Sequence, residues 1–381
     1  MQGQSKKVVF TILITLALNS QATTALPDLE IHVFEDESTS VDAVPGMQMV
    51  IYSADESIDQ GTQVQGDNYQ LLHTEDGEMV VHSENPSDNL VYPEDDIRYE
   101  FYIEGGYRQD KLDWNKAHPS GSPNVLSELT WDNIEIAVVE LGATILTPSN
   151  FVMDGRFAYG TIFDGDNQDS DYYGDYKTQE FSRSNNNTDS GSTVDTSIGF
   201  GYRALIIPSS ARFNKPTLSL TPKVGFSYHA QDFNISDGYQ TIPAYGSFDD
   251  LDSDYAATWY GPWAGLDSEL NIAEWYSLTT SFEYHYAFYE GTGDWNLRSD
   301  LEHPESFKHK AEGTGIVASI GSQFRLTPDL FLDLSVDYQN WSADKNGEDK
   351  MYFSNGSTAK MKFNEVNWES IGANIGLSYA F

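Results

Sequence analysis

Two aspartates separated by one residue, Asp169 and Asp171, are the side chains whose types and spacing could do chemistry. They lie in the stretch DGDNQDSDYYGDYKTQEFSRS (164–184), which has five aspartates within twelve residues. Neighbouring carboxylates can activate a water molecule or bind a cation. An acidic segment can also serve only to keep a polar loop solvated. These residues alone leave all three alternatives open.

The calcium alternative can be tested against the ligand spacing of a calcium-binding loop. Positions 1, 3, 6 and 12 of that spacing fall on Asp169, Asp171, Gly174 and Glu180. Positions 5 and 9 fall on a tyrosine and a lysine, which do not fit the pattern. A calcium site at Asp169, Asp171 and Glu180 is therefore a secondary hypothesis.

Charge and composition restrict the possible partners. The chain has 21 Lys and Arg against 59 Asp and Glu, a formal net charge of −38. Such a surface is unfavourable for nucleic acid, whose binding depends on cationic contacts to phosphate. Divalent cations and basic peptides are better partners. The chain has no cysteine, which excludes disulfides and thiol chemistry.

The first 97 residues differ in composition from the rest. Residues 1–25 combine an early Lys6-Lys7 pair, a short apolar run and small residues, a pattern typical of a secretory signal peptide. Residues 26–97 contain 18 Asp or Glu and no Lys or Arg. We interpret them as an acidic periplasmic extension. Within it, the segment from Tyr69 to His82 predicts a hairpin that turns at Asp76-Gly77.

Alternation with a period of two dominates residues 98–381 and predicts strands with one apolar face. Ten strands are predicted, at 98–112, 126–146, 150–163, 193–207, 216–230, 255–270, 276–292, 309–326, 330–343 and 366–381. A soluble sandwich would alternate too. However, the strands are long, and short links alternate with long polar ones at 113–125, 164–192, 231–254, 293–308 and 344–365. The predicted fold is an all-β transmembrane antiparallel β-barrel.

The barrel prediction carries expectations about location and lumen. The last strand ends on Phe381, which suggests recognition by the outer-membrane assembly machinery, with outer-membrane lipid around the barrel. The long links would lie at the cell surface. Ten strands leave a narrow lumen, so a porin is the less favoured function. Polar side chains should fill it, among them Arg203, Lys223, Glu283, His285, Asp333 and Asp337.

Strand three followed by GDNQDSDYYGD resembles the omptin family of outer-membrane proteases, whose first catalytic element is an Asp-x-Asp pair. The resemblance covers about 98–381 and implies that Asp169 and Asp171 are catalytic. It also implies a dependence on lipopolysaccharide, although no basic cluster on the barrel wall can be identified in the sequence. The segments DWNLRSDLEHPESFKH and EFSRSNN resemble an omptin-like group from chlamydia-related bacteria.

The second catalytic element of omptins is Asp-x-His at the top of strand seven. Superposing that pattern without gaps puts Asp294 at the aspartate and Asn296 at the histidine. An asparagine amide does not accept a proton as imidazole does, and loss of a positioned base costs about 10²–10⁴-fold in rate. The nearest substitute is His303, and His309 is a weaker one.

Two functional hypotheses follow. One is a surface endopeptidase that uses Asp169, Asp171 and Asp294, with Asn296 or His303 completing the site. The other is a non-proteolytic relative, such as an adhesin or a peptide- or cation-binding barrel. The missing base slightly favours the second hypothesis, whereas the family resemblance favours the first.

Overall fold

The computed structural model of the protein describes residues 69–73, 79–83, 96–207 and 216–381. The first two of these segments are strands β1 (Tyr69–His73) and β2 (Met79–Ser83), which pair antiparallel, as the hairpin prediction requires. Its expected turn, the signal peptide and most of the acidic extension lie outside the described residues. No helix in the described part of the chain is long and apolar enough to cross a membrane.

Residues 98–381 fold into a closed barrel of ten principal strands. Pairing follows chain order, and the last strand pairs with the first strand of the barrel to close the ring. The barrel strands are β3 (Arg98–Lys116), β4 (Ser127–Leu146), β5 (Phe151–Gly174), β7 (Gly191–Tyr202) with β8 (Ala204–Ile207), β9 (Thr217–Ile242), β11 (Asp252–Ala273), β12 (Tyr276–Asp294), β13 (Phe307–Arg325), β14 (Leu330–Tyr352) and β15 (Thr358–Ala380). The predicted fold class and all ten strands are confirmed.

The connections between strands differ in length at the two ends of the barrel. At one end, here the short-turn end, links such as 147–150 and 326–329 are brief. At the other, the tall end, strands continue as paired hairpins. There β6 (Thr178–Asn187) pairs with β5 and β9, and β10 (Gly246–Ser247) pairs with β9. The prediction of long polar loops at 164–192, 231–254 and 344–365 is therefore wrong over most of their length. Polar residues form strands there because hairpin pairing satisfies their backbone groups without an apolar face.

The outward face carries an apolar band around the barrel. Large apolar side chains are exposed on every principal strand of the ring, including Phe101, Phe157, Phe226, Tyr284, Ile320, Tyr338 and Ile375. On the opposite face Lys223 contacts Asp154 and Asp267, Arg203 contacts Glu269, and His285 contacts Glu283. This arrangement is apolar outside and polar inside, as in outer-membrane barrels.

Aromatic side chains fill the lumen toward the tall end. This aromatic plug comprises Trp114, Trp131, Phe233, Tyr255, Trp259, Tyr289, Phe307, Trp341, Phe363 and Trp368, all almost completely buried. Trp131 stacks on Tyr255 with ring centroids 5.0 Å apart, and Trp341 stacks on Trp368 at 5.7 Å. Burial of so much aromatic area makes this layer the hydrophobic core of the barrel.

Candidate functional site

Asp169 and Asp171 lie side by side on strand β5 rather than on a loop. Their partners across the sheet are Leu129 and Ser127, whose side chains are buried on the lumen side of β4. Because side chains two residues apart share a face of a strand, both carboxyls point toward the lumen at the tall end. We call Asp169 and Asp171 the acid pair.

Ionisation of the two carboxyls of the acid pair is disfavoured by their surroundings. Burial, and then the like charge of Asp171, raise the pKa of Asp169, while Lys116, Arg298 and the hydrogen-bonding Trp295 side chain oppose this increase. Burial likewise raises the pKa of Asp171, against the effects of Ser127, Lys116 and Arg298. Two carboxyls in one partly desolvated site favour retention of a proton.

Two cations from distant parts of the chain act on the acid pair. Lys116, at the end of β3, places its Nζ 3.0 Å from Oδ2 of Asp349 on β14. Arg298 lies in the link between β12 and β13 and donates two 2.8 Å hydrogen bonds to Asp300. The acid pair also raises the pKa of Arg298, after the larger effect of Asp300. The pair therefore already lies within the field of a guanidinium.

Sequence reasoning missed both cations and Trp295. Lys116 continues the inward alternation of Leu112 and Trp114 beyond the predicted end of its strand, and that spacing could have revealed it. Arg298 and Trp295 belong to a link whose path no local pattern specifies.

Asp294 and His303 are brought together by the same link. The Nδ1 atom of His303 lies 2.5 Å from Oδ1 of Asp294. Asp294 follows the outward alternation of Glu290 and Thr292, however, whereas Gly291 and Gly293 occupy the buried positions between them. We call Asp294 and His303 the outer pair, because the strand alternation directs the Asp294 side chain away from the lumen, whereas the acid pair faces the lumen.

Asn296 is held by structural hydrogen bonds. Its Oδ1 accepts hydrogen bonds from Ser253 Oγ at 2.9 Å and from the Asp252 backbone N–H at 3.1 Å. Its Nδ2 donates to the Asp250 carbonyl at 2.6 Å. These bonds attach the β12–β13 link to the start of β11, and they leave the amide few means of contacting a substrate.

The calcium hypothesis gains no support from the contacts of Glu180. Both carboxylate oxygens of Glu180 accept hydrogen bonds from Arg183, at 2.7 and 2.6 Å. Within the part of the chain that the structure describes, no cluster of three or more acidic, histidine or cysteine side chains could hold a metal ion.

A buried hydrogen-bond chain runs through the aromatic plug. The Tyr255 hydroxyl lies 2.6 Å from that of Tyr289 and 2.9 Å from Nδ1 of His309. The Nε2 of His309 is 3.5 Å from Oδ1 of Asp349, the partner of Lys116. Burial, and then the charge of Lys116, hold the pKa of His309 well below its ordinary value. Burial in the plug therefore favours the neutral form of the His309 imidazole.

Comparison with known proteins identifies first the class and then the family. The fold is similar to that of the outer membrane protease OmpT from Escherichia coli, with a TM-score of 0.59, 13% identity, 74% of this chain covered and 97% of that chain. The attachment invasion locus protein Ail of Yersinia pestis has a TM-score of 0.26 and 11% identity, with 74% and 99% covered. The protein is an outer-membrane β-barrel of bacteria. The family model "Protochlamydia outer membrane protein" (Pom) matches residues 102–381, and the chain belongs to this family. No curated protein matches it significantly.

Proposed function

We propose that the protein is a surface-exposed barrel that binds basic peptide segments at its tall end without hydrolysing them. The tall end faces outward from the cell in this proposal. The acid pair carries the proposal, because two lumen-facing carboxyls lie at the barrel mouth and already interact with a guanidinium, that of Arg298. A peptide arginine or lysine would displace Arg298, which Asp300 would retain as its own partner.

We expect no hydrolysis because of the contacts that the His303 and His309 imidazoles make. A general base must lie within hydrogen-bond reach of the water that it activates. His303 is bonded to Asp294 in the outer pair, and His309 is enclosed by aromatic rings. The charged side chains that act on both carboxyls of the acid pair are instead Lys116 and Arg298. Both are cations, so neither serves as the base.

A second candidate function is an endopeptidase, favoured by the short contact between Asp294 and His303. A carboxylate that accepts a hydrogen bond from Nδ1 orients an imidazole and strengthens it as a base. If the β12–β13 link turned this histidine toward the lumen, it would supply the base that Asn296 lacks. The two candidates differ in whether a bound peptide is cut.

One experiment tests both candidates. Refolded protein in detergent is titrated into a fluorescent peptide with a central Arg-Arg, and anisotropy measures binding while mass spectrometry detects cleavage. We expect binding without cleavage, and about tenfold or greater weakening in Asp169→Asn, because a buried charged contact is lost. Asp189→Asn removes the same charge from an exposed site and serves as the control.

The outcomes separate the candidates clearly. Equal affinity for Arg-Arg and Glu-Glu peptides, or equal binding by both variants, would refute the peptide-binding proposal. Cleavage that falls about 100-fold in His303→Gln would establish the endopeptidase instead. No cleavage at any pH, with or without added lipopolysaccharide, would exclude it.

A further inference from the structure

Five lysines form a patch on the outward face near the tall end. This lysine patch consists of Lys308 and Lys310 on β13, Lys350 on β14, and Lys360 and Lys362 on β15. Lys350 is directly opposite Lys308 on one side and Lys360 on the other. Like charges directly opposite each other destabilise a sheet, so a row of three lysines calls for an external anion.

Three glutamates neutralise only part of the lysine patch. Glu290 lies 3.0 Å from Lys308 and 3.3 Å from Lys310, Glu348 lies 2.7 Å from Lys360, and the charge of Glu305 also acts on Lys308. Five lysines against these three glutamates leave a formal charge of +2. This excess is notable in a chain with only 21 Lys and Arg and a net charge of −38.

An oppositely charged patch occupies the outward face of neighbouring strands. This aspartate patch consists of Asp232 on β9, Asp252 and Asp254 on β11, and Asp294 on β12. Asp254 is directly opposite Asp294, again with like charges paired. The Nδ2 of Asn234 donates to both Asp252 and Asp254, at 2.9 and 3.3 Å. Burial, and then the charge of Asp254, raise the pKa of Asp232.

Both patches begin at a similar distance beyond the apolar band. Asp232 follows the band residue Tyr228 by four positions, and Lys310 precedes the band residue Ile316 by six. The membrane holds every copy of the barrel upright and at one depth. The lysine patch of one copy and the aspartate patch of another can therefore meet by lateral diffusion.

We propose that the lysine patch of one copy binds the aspartate patch of a second copy, so that barrels associate side by side in the outer membrane. The contact joins two different surfaces, so one copy of a bound pair keeps its aspartate patch free and the other keeps its lysine patch free, and the association can propagate. A single exposed ion pair contributes little. Several pairs acting together between membrane-confined copies benefit from a high effective concentration.

The aspartate patch favours a second copy over a lipid phosphate as the partner. A phosphate would neutralise the lysines but would bring no cation to the aspartate patch, where Asp254 is opposite Asp294 and the Asp294 carboxylate contacts the His303 imidazole. A second copy neutralises both patches with one contact. The prediction that separates these partners is that association needs the aspartate patch as much as it needs the lysine patch.

The experiment uses charge reversal in lipid vesicles that contain only zwitterionic lipid. One variant carries Lys308→Glu, Lys350→Glu and Lys360→Glu, and the other carries Asp232→Lys, Asp252→Lys and Asp254→Lys. Copies labelled with donor or acceptor dyes report association by energy transfer. We expect transfer for the wild-type protein, at least a fivefold loss for each variant alone, and recovery when the two variants are mixed, because each then offers the charge that the other needs.

Three further outcomes decide the proposal. Raising the salt concentration to 1 M should reduce wild-type transfer, since the Debye length falls to about 3 Å. A carbodiimide should join a lysine of one patch to an aspartate of the other between two copies. Any of three results would overturn the proposal. These are wild-type energy transfer at the level of random mixing, a loss of transfer in the lysine variant but not in the aspartate variant, and no recovery of transfer when the two variants are mixed. Heat resistance on gels identifies variants that fail to fold.

Discussion

The ammonium group of Lys116 lies 3.0 Å from the carboxylate of Asp349, both side chains are buried, and the ammonium group also lies over the rings of Trp114 and Phe307. The side chain of Asp349 is fully inaccessible, and that of Lys116 is 10% exposed. Lys116 also acts on both members of the acid pair. Lys116 therefore interacts electrostatically both with Asp349, which lies 3.5 Å from His309, and with the carboxyls at the mouth.

Lys116→Met should destabilise the barrel strongly. Breaking a buried ion pair leaves its partner uncompensated, which costs about 3–5 kcal/mol. Unfolding by urea in lipid vesicles, followed by tryptophan fluorescence, measures the loss. Lys111→Met is the matched control, because Lys111 contacts Asp132 at an exposed site and should cost less than about 1 kcal/mol. Equal effects of the two substitutions would contradict a buried ion pair.

The acid pair should make the stability of the protein decrease as the pH rises. Its carboxyls have raised pKa values in the folded state, so the folded protein binds more protons than the unfolded chain above the ordinary carboxyl pKa of about 3.9. Their contribution is most favourable at or below that pH and is lost as the pH rises through the raised values. Measuring the free energy of unfolding from pH 4 to pH 8 tests this prediction, and we expect that free energy to decrease over the range.

Replacing both carboxyls tests the source of that pH dependence. The double variant Asp169→Asn with Asp171→Asn should flatten the decline, while Asp189→Asn should preserve it. A decline as steep in the double variant as in the wild type would show that other buried carboxyls, such as Asp349, produce it.

The alternation of apolar and polar side chains in residues 98–381 was sufficient to predict the barrel, because a period of two shows directly which side of a strand faces apolar surroundings. Beyond the apolar band that constraint disappears. The hairpin of β5 and β6 is polar on both faces, and the pattern around Asp169 therefore predicted a loop. Only pairing between strands, which the sequence does not display, shows that this segment is a strand.

The candidate site was predictable only in part for a related reason. Asp169 and Asp171 were identified from their spacing, and His303 was named only as the nearest substitute for the missing base; in the structure its Nδ1 lies 2.5 Å from Oδ1 of Asp294. The side of the sheet on which they lie could not be predicted, because the register shifts between Asp132 and Ile136 on β4 and, opposite them, between Ile162 and Asp166 on β5. Each such irregularity changes which side chains point inward, and no local pattern marks it.

Tyr255→Phe should destabilise the aromatic plug by a moderate amount. The substitution removes a hydroxyl that lies 2.6 Å from the Tyr289 hydroxyl and 2.9 Å from His309 Nδ1. An unsatisfied buried polar group costs about 1–3 kcal/mol. Urea unfolding measures the effect, with Tyr239→Phe as an exposed control. A change below about 0.5 kcal/mol would mean that water replaces the lost hydroxyl.

The aromatic plug should prevent a large ion flow through the barrel. Trp131, Trp259 and Trp341 are almost completely buried at the level where the lumen would have to be open. In planar bilayers we therefore expect no steady conductance of porin size from the wild-type protein. Replacing Trp131 and Trp259 by alanine should remove plug volume and increase brief openings, whereas replacing the exposed Trp275 should not. A steady, large conductance of the wild-type protein would contradict a plugged lumen and would require the aromatic plug to move aside.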